Sequence, residues 1–469
     1  MTEKVNTIVI GAGMAGLPMA LRAARHGETV LVEPGELGGT CLNRGCIPTK
    51  TMIHSAKVAH LARRAADFGV ETGPVRVDLA AVVARKDQVV AAIRGGSERA
   101  VDRAESLRLV RGYARFVDGH TVEVDGNHLR ADRIVVNTGA RPHLPTIPGL
   151  DEVSWLDSTS ALDLTQLPRY LVVVGGGYVG CELAQMYRRF GAEVTILQRA
   201  DRLLPGEDPD VSQVIEEVFS EEGIDVRTAT VPDAVIPHPD GGVILTVGGE
   251  DLEASHLLIA TGRTPNTDRL DPEAAGITTD DGGFVTVDET YATTTEGVYA
   301  IGDVVGPPMF THTARDDADL LYRHLYKQED ITTHTRLIPH AVFTDPEVAS
   351  FGLTEAQARQ THGDHIGIGV ERFRGVAKAR AIDETAGFIK IITDPDRRIL
   401  GTTIVGPDAG NLIHELVVAA TADLTIDQVS QAIHIHPTLA EGVNAAAGGV
   451  HRPTSHECGE VVSQSLSYP

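Results

Sequence analysis

Two cysteines with four residues between them, Cys41 and Cys46, sit in the stretch Gly-Gly-Thr-Cys-Leu-Asn-Arg-Gly-Cys-Ile-Pro-Thr-Lys at residues 38–50. In an undistorted helix a five-residue step holds their Cα atoms too far apart for an unstrained disulfide. Gly45 and Pro48 are placed to bend that turn and let the sulfurs meet. A bridge held this way is expected to be strained and reducible, the mark of a catalytic rather than a structural disulfide. If the pair opens a helix, the N-terminal dipole also favours the thiolate of the reduced form. Two alternatives stand beside this reading. One is a pair of unbonded core cysteines; the other is a zinc site, for which no second cysteine pair or nearby histidine completes a tetrahedral set. Lys50 lies four residues beyond Cys46, on the same helical face, and sets an ammonium beside whatever Cys46 faces.

Such a pair needs a supply of electrons, and the preceding residues form a nucleotide-binding unit. A strand at residues 7–10 runs into Gly11-Ala-Gly13-Met-Ala-Gly16, a helix over 17–26 and a second strand at 29–32 that ends at Glu33. Gly11 makes the tight turn, Gly13 lets the backbone approach a pyrophosphate, Gly16 permits close helix–strand packing, and Glu33 accepts from a ribose hydroxyl. A second unit starts at Tyr170: a strand over 171–174, Gly175-Gly-Gly177-Tyr178-Val-Gly180, a helix over 181–190 and a strand over 193–197. No acid closes this one; Gln198-Arg199 stands there, with Arg202 close behind. An arginine accommodates the 2′-phosphate of NADP where a carboxylate selects NAD, so NADPH is favoured over NADH; the plainer alternative is that Arg199 and Arg202 are solvated surface charges. Two nucleotide folds and a cysteine pair suggest electrons passing from one dinucleotide through another into a disulfide. The first is then a flavin nucleotide, which mediates between hydride and thiolate.

The rest of the chain supplies the scaffold. Amphipathic helices are expected over 52–65 and 79–106, strands over 115–117, 121–124 and 133–136, and a Pro-rich linker over 142–148. A strand over 251–259 leads to Ala260-Thr-Gly262-Arg263-Thr-Pro265-Asn266, which mirrors Asn137-Thr-Gly139-Ala-Arg141-Pro142, and a later strand ends on Gly302-Asp303. A helix is expected over 316–326. The last ~130 residues lack a Gly-rich loop and alternate strands (387–393, 399–405) with helices (353–360, 411–422), an α+β pattern suited to dimerisation. The fold class is therefore α/β, with two Rossmann-like domains and a C-terminal α+β domain. The expected division is a discontinuous FAD domain at 1–149 and 270–335, an NAD(P) domain at 150–269, and an interface domain with its tail at 336–469.

Composition limits the function classes. The 469 residues carry a net charge of −24, which disfavours binding to a phosphate backbone. No apolar run approaches membrane-spanning length and no signal-peptide core precedes the first strand, so the protein is read as cytoplasmic, without a membrane or nucleic-acid partner. Four cysteines are too few for a secreted disulfide scaffold of this size.

The motifs GGTCLNRGCIPTK, GGGYVGCE, ATGRTPN, GVYAIGDV and HPTLAE together resemble the class I pyridine nucleotide-disulfide oxidoreductases, which include dihydrolipoyl dehydrogenase, glutathione reductase and the mercuric-reductase-like flavoproteins. The resemblance spans residues 7–449. It implies that Cys46 faces the flavin as a charge-transfer thiolate and that Cys41 attacks substrate. It pairs Lys50 with Glu182 beside the flavin and lays Tyr178 over its nicotinamide side. Thr40, Ala114, Gly139, Asp303 and Thr311 become FAD contacts alongside Gly11, Gly13, Gly16 and Glu33. Gly175, Gly177, Gly180, Arg199 and Gly262 fall to the nicotinamide nucleotide, and His436 reaches Cys41 of the other subunit in a homodimer. There His436 takes the proton released on disulfide reduction, Glu441 holds the imidazole, and His434 is a neighbour rather than a second base.

The expected activity is NAD(P)H:disulfide oxidoreduction of dihydrolipoyl-dehydrogenase type, on a small disulfide or dithiol or a protein-bound lipoyl group. The alternative is an NADPH-dependent reductase of Hg²⁺ or Cu²⁺. The tail carries a single cysteine, Cys458, where mercuric reductases carry a vicinal pair, and no resident metal site is expected.

Overall fold

A computed structural model describes residues 2–451. The strand Thr29–Val32 is buried along its whole length and Thr2–Ile10 over its second half, as a sheet covered on both faces requires. They belong to a seven-stranded sheet ordered 107–110, 29–32, 2–10, 127–136, 121–124, 114–118, with Val298–Ala300 added alongside Asn127–Val136. Thr2–Ile10 has parallel neighbours on both sides, and the two outer strands close an antiparallel meander. Sequence order reverses between Thr2–Ile10 and Asn127–Val136, so Gly11 and Asn137 lie at the switch point where open α/β sheets bind ligands.

Helix α1 (Gly16–Ala23) leaves that crevice and buries Leu17, Met19, Ala20 and Ala23. Next come α2 (Gly39–Asn43), α3 (Cys46–Arg63) and α4 (Leu79–Asp102), the last begun by Asp78, which accepts the Ala81 N–H at 3.1 Å.

A second, all-parallel sheet has the order 224–227, 193–197, 170–174, 256–259. Helices α5 (Tyr178–Phe190) and α6 (Pro209–Glu221) belong to the same stretch of chain, and α5 begins at Tyr178, earlier than the expected residue 181. The single strand expected over 251–259 is two strands, Glu250–Ala254 in a three-stranded antiparallel sheet and His256–Ile259 in the parallel one. Ser255 divides them: its hydroxyl donates to the Tyr170 carbonyl at 2.7 Å and accepts the Tyr170 N–H at 3.0 Å, redirecting the chain. Ala140–Pro142, which runs into the expected linker, is a short strand paired antiparallel with Arg263–Pro265, so the two mirrored Thr-Gly turns meet in space. Helix α7 (Thr311–Lys327) starts at Thr311 rather than at residue 316.

Residues 2–203 and 219–336 form one compact unit, and 204–218 group with 337–451 in another. The second unit is α+β, as expected: five antiparallel strands ordered 340–342, 347–352, 399–406, 388–393, 367–372, with helices that include Ala409–Thr421 and Ala440–Gly448. Segment 204–218 falls inside the stretch read from sequence as the NAD(P) domain, and ionic contacts explain its membership here. Lys390, 3% exposed, holds Asp208 at 2.9 Å and Asp210 at 2.8 Å. Glu207 meets His340 at 2.7 Å and accepts from Ser350 at 2.9 Å. A buried ammonium is tolerated only with partners of this kind.

Candidate functional site

Cys41 lies in α2 and Cys46 is the first residue of α3. Arg44 and Gly45 break the helix between them, with Gly45 at φ −134° and ψ −108°. Pro48 lies inside the first turn of α3, where its missing N–H costs no intrahelical bond, so the bend belongs to Arg44 and Gly45. Both cysteines are free thiols, and their sulfurs share a hydrogen bond. The bond sets them apart chemically. Cys46 is lowered to about 6, first because Cys41 donates to it, then through Thr311 and the Lys50 charge; burial and Glu182 oppose the shift. Cys41 is pushed well above the usual thiol range, first by donating to Cys46 and then by burial, against Thr311 and the Arg315 charge. Both shifts point the same way, favouring Cys46, at a helix N-terminus, as the thiolate of the pair.

Lys50 Nζ meets Glu182 Oε2 at 2.7 Å, joining α3 to α5, and the carboxylate side chain is only 6% exposed. Tyr178 opens α5 and stacks on Phe310 (6.3 Å between ring centroids, 17° between planes); Phe310 stacks in turn on His312 at 5.4 Å. The Thr311 hydroxyl lies 3.4 Å from Cys46 Sγ, so the first turn of α7 packs against the thiol pair.

The glycine loops test whether nucleotides fit. A Cβ at Gly11 or Gly16 would collide with the Asn137 or Gly11 carbonyl, and one at Gly175 or Gly180 with the Ala260 or Gly175 carbonyl, so these four are fixed by the protein's own backbone. A Cβ at Gly177 would meet no protein atom within 4 Å, so there is room for a ligand to approach that backbone. Gly139 and Gly262 also have open surroundings, and their φ values of +69° and +123° are what demand glycine. Thr138 Oγ1 is buried without a protein partner beside Gly139. Asp303, on the turn after Val298–Ala300, is raised by burial, partly offset by Arg263 at 3.7 Å. Ala114 opens the outermost strand of the first sheet and Thr40 is exposed on α2. A phosphate-bearing, hydroxyl-rich dinucleotide matches these donors and clearances.

The two loops share a contact that the sequence does not announce. Glu33 Oε2 accepts the Ala12 N–H at 2.7 Å, and its other oxygen accepts from Gly35 at 2.9 Å. In the second unit Gln198 Oε1 accepts the Gly176 N–H at 3.1 Å. Gln198 thus keeps the loop-bracing bond of the missing acid without its charge, while Arg199 is exposed. Sequence reading also passed over Asn137, whose side chain accepts from Gly16 N–H and donates to the Ile301 carbonyl, both at 2.8 Å. A polar residue ending an otherwise apolar strand was the available signal.

His436 and Glu441 lie in the second unit, Nδ1 to Oε1 at 2.9 Å, and the histidine side chain is 71% exposed. Glu441 is held below the usual carboxylate range, first by the Thr438 N–H and then by His436. His434 is committed at both ring nitrogens, to the Ala432 carbonyl at 3.0 Å and to Glu415 at 2.9 Å. Burial opposes its charge, yet those acceptors hold its pKa above that of an ordinary histidine. Cys458 lies outside the described residues. Among those described, no helix is long and apolar enough to cross a membrane, and no three His, Cys, Asp or Glu side chains are arranged to hold a metal ion.

Two adjacent thiols driven apart in acidity beside paired glycine loops are the equipment of an oxidoreductase that acts on sulfur groups. Comparison with known proteins gives the lineage. Residues 5–318 match the model for pyridine nucleotide-disulphide oxidoreductases, and residues 338–447 match the dimerisation domain of that family. The chain belongs to this family, whose members use FAD and a pyridine nucleotide. It is 38% identical to a dihydrolipoyl dehydrogenase of Haloferax volcanii (94% of this chain, 95% of the relative) and 35% identical to a mercuric reductase of Lysinibacillus sphaericus (95% and 82%). A Cu(II) complex of the HOCl-induced flavoprotein disulfide reductase RclA from Escherichia coli superposes with a TM-score of 0.86 at 31% identity, covering 94% of this chain and 98% of that one.

Proposed function

We propose that the protein is an FAD-dependent NAD(P)H:disulfide oxidoreductase acting on a small dithiol or disulfide, in the manner of a dihydrolipoyl dehydrogenase. The observation that carries the reading is the division of labour in the thiol pair, Cys46 as thiolate and Cys41 as its proton donor.

In this reading Gly11, Gly13, Gly16, Glu33, Thr40, Ala114, Gly139, Asp303 and Thr311 hold FAD, with Lys50 and Glu182 beside its reactive ring. Gly175, Gly177, Tyr178, Gly180, Arg199 and Gly262 hold the nicotinamide nucleotide. The FAD domain comprises 1–149 and 270–335, the NAD(P) domain 150–269, and the interface domain 336–469. Bound FAD supplies two-electron exchange between the nicotinamide and the Cys41–Cys46 pair. The chain's own groups do the rest. Lys50 and Thr311 keep Cys46 ionised, and Cys41 gives up its proton before it attacks a substrate sulfur. His436 of the second subunit receives that proton, and Glu441 orients the imidazole and stabilises its cation. The family dimerisation domain supports the homodimer that this requires. The neutral Gln198 beside exposed Arg199 supports NADPH over NADH. The sparse cysteines support a cytoplasmic, reducing location.

A second reading, NADPH-dependent reduction of Hg²⁺ or Cu²⁺, draws support from the mercuric reductase relative and from the Cu(II)-bound structural neighbour. A panel of lipoamide, low-molecular-weight disulfides, Hg²⁺ and Cu²⁺, run in parallel with NADH and NADPH, separates the two. Turnover of a disulfide with no metal-dependent NADPH oxidation above background supports the first reading; the reverse overturns it.

A further inference from the structure

The first turns of α7 carry a cation that the roles above leave unused. Thr311 fixes this turn against the thiol pair, and Arg315, four residues on, projects from the same helical face. Arg315 is exposed and makes no ion pair among the described residues. The neighbouring carboxylates of α7 are engaged elsewhere: Asp316 and Asp317 by Arg336 at 3.0 and 2.7 Å, Asp319 by Arg22 at 3.0 Å. The Arg315 charge is nevertheless felt at the Cys41 sulfur, on the thiol assigned to substrate. A guanidinium left unmatched in a chain of net charge −24, one helical turn beyond the threonine that touches Cys46, has its fork open to an incoming anion.

We propose that Arg315 selects disulfide substrates bearing a carboxylate or another anionic group close to the sulfur–sulfur bond. The inference rests on the disulfide-reductase reading and names the substrate class of that same site. The exchange is balanced within the site: the Cys41 thiolate bonds to one substrate sulfur and expels the other as a thiolate. The Cys46 thiolate then displaces the second half, leaving the Cys41–Cys46 disulfide to be reduced by NAD(P)H. Arg315 binds the substrate anion before the attack and holds it equally through the exchange.

Two chromogenic disulfides provide the test, dianionic 5,5′-dithiobis(2-nitrobenzoate) and neutral 4,4′-dithiodipyridine, with full-length, flavin-loaded protein. Arg315→Ala is expected to raise KM for the dianion roughly five- to tenfold at unchanged kcat, lowering the dianion-to-neutral ratio of kcat/KM to the same extent. Arg315→Lys retains most of that ratio, and added salt lowers it in the unmutated protein. An unchanged ratio in Arg315→Ala overturns the inference while leaving the disulfide-reductase reading intact. Unmutated protein that reduces neither reagent overturns both.

Discussion

Lys50 Nζ stands 2.7 Å from Glu182 Oε2, tying the helix that begins with Cys46 to the helix that follows the second glycine loop. The two charges act on Cys46 in opposite directions, the ammonium lowering its pKa and the carboxylate raising it. In reduced protein the long-wavelength thiolate–flavin absorbance is therefore expected to appear as pH rises through about 6 and to be lost below it. Lys50→Met moves that titration to higher pH and Glu182→Gln moves it to lower pH. Shifts in the same direction would contradict the assignment.

Gln198 braces its glycine loop through Gly176 as Glu33 braces the first loop through Ala12. Gln198→Glu keeps the acceptor and adds a negative charge where a 2′-phosphate is expected. The kcat/KM for NADPH should fall about tenfold or more while that for NADH is retained or improved, because opposed anions in contact cost on the order of a kcal/mol or more. Steady-state rates with both nucleotides measure the ratio.

Asn137 is buried and links Gly16 to Ile301 across the switch point. Asn137→Ala leaves a buried N–H and a carbonyl without that partner, at a cost of about 2–3 kcal/mol. A lower melting temperature and a reduced flavin-to-protein ratio after gel filtration are the expected signs.

The features readable in the sequence were those held by local constraint. Gly11, Gly16, Gly175 and Gly180 cannot carry a side chain against backbone within their own turns or the adjoining strand ends, so the loops declare themselves. The strands at 29–32 and 193–197 were legible because burial on both faces demands mostly apolar runs, here Val-Leu-Val after Thr29 and Val, Ile and Leu around Thr195. What escaped depends on distant partners. Ser255 ends a strand only because Tyr170 is there to receive it, and the clamp of 204–218 exists only where Lys390 is buried. The early start of α7 left Thr311 and Arg315 outside the expected helix, and with them the face that meets the thiols.

His436 is exposed and poised on Glu441. His436→Gln should lower disulfide turnover by about 10²–10⁴-fold, the usual worth of a positioned acid–base group. Ferricyanide reduction by NAD(P)H needs no proton at a disulfide and should stay within about twofold. A parallel loss of both activities would point to a structural role instead.

The unequal roles of the two sulfurs are tested most directly by the visible spectra of Cys41→Ser and Cys46→Ser in flavin-loaded protein without reductant. With Cys41 removed, Cys46 is left as an unbridged thiol beside Lys50 and Thr311 and should show the long-wavelength thiolate absorbance at rest, above its own titration. With Cys46 removed, that absorbance should be missing at every pH and NAD(P)H-driven disulfide reduction lost. The band in Cys46→Ser, or disulfide turnover undiminished in either variant, would contradict the account.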